Sequence, residues 1–181
     1  MQRYLLLIVG SVLTIALDQW TKVMAVSSLA VGALPADAHQ IRTRVHEVFE
    51  SWFHLRLAGN KGAAWGLFRS LPESWRVPFF VVISLVAVAV IVTLYRKAHG
   101  LRMQQVALTL IMGGAIGNLI DRIRLGYVID FIDWHTNQSW HWPTFNIADV
   151  GISVGVGLLL LDMLIHKKPT RAEEAARIAR E

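Results

Sequence analysis

Residues 77–95 read VPFFVVISLVAVAVIVTLY, nineteen residues without a single charge. A helix rising about 1.5 Å per residue covers roughly 30 Å of hydrocarbon in about 20 residues, so this stretch reads as a membrane span. Three further runs of similar size lie on either side of it, at 4–26, 103–120 and 147–165. The whole chain of 181 residues is 54% hydrophobic and 17% charged, with a mean hydropathy of +0.45. That balance excludes a disordered chain and an ordinary soluble domain. Asp18 and Lys22 interrupt the first run where a cleaved secretory signal stays apolar, so it too reads as a span.

Basic residues near the span ends set the orientation. Arg3, then Arg96, Lys97 and Arg102 in the short link, then Lys167, Lys168 and Arg171 share one side if four spans alternate, and that side is expected to be cytoplasmic, with both termini. The connection 27–76 carries six basic residues as well, but it is long, and the rule weakens away from span ends. Trp20, Trp52, Trp65, Trp75, Trp134, Trp140 and Trp142 all fall at the opposite ends or in the outer connections 27–76 and 121–146, where an indole suits lipid headgroups. No internal repeat is visible, and 169–181 reads as a solvated, charged tail to a single membrane domain of residues 1–168.

Two outer stretches have strand character. Phe53, Leu55 and Leu57 alternate with His54 and Arg56, and Val128 to Phe131 follow a turn signal at Gly126, so a small sheet on the bilayer surface is expected. In the third and fourth spans the pairs Gly113/Gly117 and Gly151/Gly155 have the four-residue spacing that lets helix backbones approach closely in lipid.

Ionisable groups at membrane depth need partners, since a carboxylate at the centre of a span costs about 2.5–3.5 kcal/mol on insertion scales. Asp18 and Lys22 stand one turn apart on one face and are expected to pair, with Lys22 snorkelling to the surface. Asn118, Asp121 and Arg122 share a face at the outer end of the third span; Arg122 can hold a backbone carbonyl or a carboxylate there. The strongest candidates for chemistry are Asp130, inside the apolar segment Val128–Ile132, and Asp149, at the outer start of the fourth span. Two carboxylates a few ångströms apart share a proton, so that one activates water while the other polarises a carbonyl, the chemistry of an aspartic protease. Capping helices, or accepting hydrogen bonds from the outer strands, is the competing reading of both. The amide of Asn146, three residues before Asp149, either orients that carboxylate or a substrate carbonyl, or serves as an ordinary N-cap. Asn60 opens the small-residue segment NKGAAWG at 60–66, suited to lying against a peptide.

Other chemistries recede. The chain has no cysteine, its histidines lack a helical ligand spacing, and no metal or cofactor is expected. A pI near 10.0 comes from scattered basic residues, with no stripe for nucleic acid. A small transporter or proton relay remains the alternative use of intramembrane carboxylates, although only Asp162 lies low in a span, where it is expected to snorkel. A non-enzymatic lipoprotein-binding scaffold is a third.

The ordered set DQWTK at 18–22, NKGAA at 60–64, GNLIDR at 117–122, VIDF at 128–131 and FNIAD at 145–149 resembles the bacterial lipoprotein signal peptidase family, also called signal peptidase II. The likeness runs from Tyr4 to about His166. It implies an all-α membrane protein of four transmembrane helices with a small periplasmic β-sheet and both termini cytoplasmic, in the bacterial inner membrane. The implied activity is that of an aspartic endopeptidase removing signal peptides from diacylglyceryl-modified prolipoproteins, just before the lipidated cysteine. It also implies Asp130 and Asp149 as the catalytic pair, with Asp18, Lys22, Asn60, Asn118, Arg122 and Asn146 as supporting polar residues. The chain departs from the family's pattern in Trp65, where a phenylalanine is common, and in a long outer segment at 31–48.

Overall fold

The computed structural model describes residues 4–50, 52–62, 73–98, 100–136 and 140–165. Four helices are long and apolar enough to cross a membrane: α1 (Leu5–Leu29), α2 (Glu73–Lys97), α3 (Arg102–Leu125) and α4 (Ile147–Ile165). Between α1 and α2 lie β1 (His46–Phe49) and β2 (Phe53–Asn60), and between α3 and α4 lie β3 (Val128–Thr136) and β4 (Trp140–His141). The four strands form one antiparallel sheet in the order β1-β2-β3-β4. Both expected strands are present, and β1 joins them from the long outer segment. The tail at 169–181 and Trp65 lie outside the described residues.

α3 is the central helix, packed by α1, α2 and α4. It runs five residues beyond its expected end at Ile120, because Asn118 and Asp121 turn inward to protein partners and do not mark an exit to water. Gly126 stops it, adopting φ 80° and donating its N–H to Arg122 O. Away from α3 the bundle shows apolar side chains such as Leu13, Val82, Val86 and Leu164, all exposed, as a lipid-facing surface requires. At one end Tyr4 stacks on Tyr95 and accepts from Arg96, while Gln104 donates to Asp162 at 2.6 Å. Asp162 is therefore buried against α3 and does not snorkel. The sheet caps the other end, and the described tryptophans of that end are exposed.

Close helix approach is real, but its partners differ from a simple pairing of the third and fourth spans. Gly113 and Gly117 face α1, where an added Cβ would stand 2.5 Å from Thr14 Cβ and 2.7 Å from Asp18 Oδ2. Gly155 does face α3, with Ala107 O at 2.6 Å, and the tightest α3 contact with α4 is at Gly114, whose added Cβ would run into Ala148 O. Backbone atoms cannot swing away, so Gly114→Ala is expected to destabilise the bundle by about 1–3 kcal/mol. Gly157→Ala on the lipid side, with nothing within 4 Å, should be neutral. Thermal unfolding in detergent compares the two.

The outer connection is tied down at several points. Arg44 N donates to Leu29 O and Val31 N to Arg42 O, and Ala38, in a short 3-10 turn, packs on Gly59 of β2. Lys61 pairs with Asp37 at 2.8 Å and holds that carboxyl below its usual range. A core of Ala25, Leu29, Ala38, Leu57, Ile129 and Phe131 joins α1 to the sheet and so fixes β3 above the helix ends.

Candidate active site

The sheet-side parts of α1, α3 and α4 converge with β3 on a buried polar cluster. Lys22 is its hub. The ammonium has three donors and three partners: Asp18 Oδ2 at 2.9 Å, Asp121 Oδ2 at 2.8 Å and Asn118 Oδ1 at 3.0 Å. Asp18 and Lys22 pair as their spacing requires, but Lys22 is only 2% exposed and points inward, so the expected snorkelling does not occur. The reason is electrostatic: two buried carboxylates compete with the headgroup region for this cation, and leaving them unpaired would cost more. Gln19, which the sequence reading passed over, donates to Asp18, to Gly117 O and to Asp121. Its only sequence signal was a second polar side chain beside Asp18 within an apolar run.

Asp18 and Asp121 also organise backbone. Asp18 Oδ1 accepts from Ala148 N at 2.9 Å, in the first turn of α4, and Asp121 Oδ2 accepts from Ile129 N at 3.1 Å, at the start of β3. The elements bearing Asp149 and Asp130 are thus each tied to a carboxylate that Lys22 neutralises.

Asn146 takes the N-cap position, and its side-chain amide turns to Asp130 and not to the Asp149 carboxylate. As N-cap of α4 its side chain accepts from Asp149 N at 3.0 Å, while Asp149 Oδ2 accepts from Asn146 N at 3.2 Å, a reciprocal capping box. Its amide nitrogen simultaneously donates to Asp130 Oδ1 at 2.7 Å, to Asn118 Oδ1 and to Ile129 O. One residue therefore links the two carboxyl groups, its side chain donating to that of Asp130 and its backbone N–H to that of Asp149. Asn118 donates to Asp149 Oδ1 at 2.8 Å, and Asn60 donates to Asp130 Oδ2 at 3.1 Å. Arg122 reaches Asn118 O and Gly62 O, and its guanidinium lies over the Phe80 ring, 4.9 Å from the centroid. All eight residues singled out in the sequence, Asp18, Lys22, Asn60, Asn118, Arg122, Asp130, Asn146 and Asp149, meet in this cluster. Of the 60–66 loop, residues 60–62 are described and the remainder lie outside.

Asp130 is 2% exposed. Burial first, then the charge of Asp149, push its carboxyl up to about 8, against the hydrogen bonds from Asn60 and Asn146 and the pull of Lys22. Four carboxyl groups, of Asp18, Asp121, Asp130 and Asp149, face two cations, Lys22 and Arg122, so the cluster has an excess of acidic groups that a neutral Asp130 reduces.

A cleft of about 630 Å³ opens beside the cluster. Phe80, Ile83 and Ala87 of α2 form one wall, Val150 and Val154 of α4 the other, and Trp134 and Trp142 frame its mouth. Asn60, Asn118, Arg122 and Asp149 line it directly; Asp130 stands one hydrogen bond behind Asn60.

A family model described as "Signal peptidase (SPase) II" matches residues 10–165, nearly the whole described chain. The chain belongs to the signal peptidase II family. It is accordingly an aspartic-protease hydrolase, and its four apolar helices are those of a multi-pass membrane enzyme. The chain is 43% identical over 178 residues to a lipoprotein signal peptidase of Anaeromyxobacter sp. (strain Fw109-5), covering 88% of this chain and 84% of that one. It is 44% identical over 164 residues to the lipoprotein signal peptidase of Syntrophotalea carbinolica, covering 88% and 89%. Among solved structures, the chain is similar to a bacterial membrane enzyme determined by the in meso method at 2.3 Å resolution, with a TM-score of 0.72, 29% identity and 91% of each chain covered.

The histidines are less scattered in space than in sequence. Ligand-bearing atoms of His54, Asp133 and His135 come within 4.8 Å of one another on the sheet. A search for helical spacing misses them, because on strands the relevant spacing is two residues and a cross-strand neighbour.

Proposed function

We propose that this protein cleaves the signal peptides of diacylglyceryl-modified prolipoproteins just before the lipidated cysteine, using Asp130 and Asp149 as a dyad. The observation that carries this reading is the Asn146 bridge, which holds the buried Asp130 carboxyl and the part-buried Asp149 carboxyl in one hydrogen-bonded unit beside an apolar cleft. The pair titrates as a unit, and deeper burial biases its proton to Asp130. Asp149, on the cleft wall, is the ionised partner. As the oxygen of a water attacks the scissile carbonyl carbon, Asp149 takes its proton while the neutral Asp130 carboxyl donates to the carbonyl oxygen. Collapse of the tetrahedral diol breaks the C–N bond, with the proton from Asp149 passing to the leaving amine and a diol hydroxyl returning its proton to Asp130 as the acid carbonyl forms. Asn118 and Asn146 fix Asp149, and Arg122, reaching Gly62 O, braces the 60–62 segment against the cleft.

The cleft suits such a substrate because its walls are apolar and its polar groups gather at one end. Arg96, Lys97 and Arg102 lie at the end opposite the sheet, which by the positive-inside rule supports a dyad on the outer, periplasmic side of the bacterial inner membrane with both termini in the cytoplasm. There a signal-peptide helix and acyl chains remain in lipid while the scissile bond meets water. A relay would need carboxylates continuing inward; among the described residues the next is Asp162, held by Gln104 near the other end.

Purified protein should cut a prolipoprotein peptide with a diacylglyceryl cysteine and leave the unmodified peptide intact. Equal cutting of both, or of neither, overturns the substrate assignment. The pH profile of kcat/KM should fall on the alkaline side with an apparent pKa near 8, as Asp130 gives up the proton it must donate. Activity level through pH 10 contradicts a shared proton.

A further inference from the structure

We propose that the face of the sheet turned away from the dyad carries a divalent transition-metal site, suited to Zn²⁺, formed by His54, Asp133, His135 and His141. Strand geometry gathers them. Asp133 and His135 are two apart on β3 and share a face; His54 is the register partner of Asp133, and His141 that of His135. Asp130 and Trp134 occupy the alternate positions of β3, with Trp134 at the cleft, so the cluster stands behind the sheet, apart from the proteolytic site.

The donor set is that of an imidazole-rich site. His135 Nδ1 lies 3.8 Å from Asp133 Oδ2 and His141 Nδ1 lies 4.0 Å from Asp133 Oδ1. The His54 and His135 rings meet edge-on at 4.3 Å between centroids, and those of His135 and His141 stack at 5.0 Å. In a tetrahedral zinc site with Zn–N near 2.0–2.1 Å, neighbouring donors are about 3.3 Å apart, which these side chains reach by small torsional shifts. Two of the donors point to a ligand independently: Asp133 Oδ1 and His135 Nδ1 are buried and make no hydrogen bond among the described residues, although their side chains are only 4% and 7% exposed. Native interiors rarely leave such atoms unsatisfied. Arg56 pairs with the other oxygen of Asp133, and its side chain is 40% exposed, so it can withdraw to solvent when a metal takes the carboxylate. Three imidazoles and one carboxylate select Zn²⁺ over the hard cations Ca²⁺ and Mg²⁺. A metal here pins β2, β3 and β4 together and with them Trp134 and Trp142 at the cleft mouth; it takes no part in hydrolysis.

The test is metal binding by the detergent-solubilised protein, stripped with chelator, then dialysed against Zn²⁺ and, separately, Co²⁺. One Zn²⁺ per chain, a tetrahedral Co²⁺ absorption spectrum and a raised melting temperature are expected. His141→Ala, at a half-exposed position that tolerates truncation, and His54→Gln should each weaken binding at least about tenfold. Arg56→Gln should tighten it, because the competing cation is gone, whereas an ion pair of purely structural purpose predicts only a less stable protein with unchanged metal affinity. His46→Gln, on β1, serves as the control. Substoichiometric metal, affinities unchanged in His141→Ala and His54→Gln, or an octahedral cobalt spectrum overturns the proposal. Peptide cleavage is scored separately, so a failed metal site and a failed protease reading are told apart.

Discussion

Asp149→Asn, and separately Asp130→Asn, should each lower cleavage of a lipidated prolipoprotein peptide by about four orders of magnitude, the scale on which a positioned acid or base acts. The amide keeps the size of the carboxyl and part of its hydrogen bonding, but it can neither take a proton from water nor give one to a carbonyl. Stability separates chemistry from folding. The pKa of Asp130 is raised above its ordinary 3.8 to about 8, so the folded protein binds this proton more tightly than the unfolded chain. Its contribution is complete below about pH 4 and is lost as the pH rises to about 8. Asp130→Asn escapes that loss: its melting temperature should exceed that of the wild type by a margin that grows from pH 4 to pH 8. An inactive Asp130→Asn whose melting curve collapses at every pH would mean that the carboxyl is structural, and turnover within tenfold of wild type in either variant would remove the dyad altogether.

Much of this was legible in the sequence because a bilayer leaves few options. A run such as 77–95 has no soluble home of ordinary size, and a carboxylate such as Asp18 inside a similar run must have a partner. Asp130 and Asp149 stood out for the same reason, each an acid in an apolar setting. Pairwise geometry across elements was less visible. Nothing in the one-dimensional pattern says that Gly113 and Gly117 turn to α1 while Gly114 meets Ala148, since glycines on adjacent faces of one helix carry no label for their neighbours. Lys22 was misread for a related reason. Its depth and length permit snorkelling, and what reverses its direction is Asp121, ninety-nine residues further along the chain, which only folding places 2.8 Å away. The histidines of β2, β3 and β4 are the same lesson on a sheet: register made them neighbours.

The second large effect is expected at Lys22, which touches neither the cleft nor Asp130 or Asp149 in any hydrogen bond described. Lys22→Met preserves length and apolar character and removes only the charge and three donors. Asp18 and Asp121 then face each other's field in a water-poor interior, and breaking one side of such a buried arrangement costs about 3–5 kcal/mol. The consequence should reach the dyad through backbone: Asp18 holds Ala148 N and Asp121 holds Ile129 N, so repulsion between these carboxylates loosens the start of α4 and the start of β3 together. Loss of activity in Lys22→Met should therefore accompany loss of thermal stability, unlike Asp149→Asn. Adding Asp121→Asn to Lys22→Met removes one stranded charge while leaving an acceptor for Ile129 N, and should recover a measurable part of the lost melting temperature. If single and double variants melt alike, the cluster is not held together by the charge balance around Lys22, and the link from this ammonium to the placement of Asp130 and Asp149 fails with it.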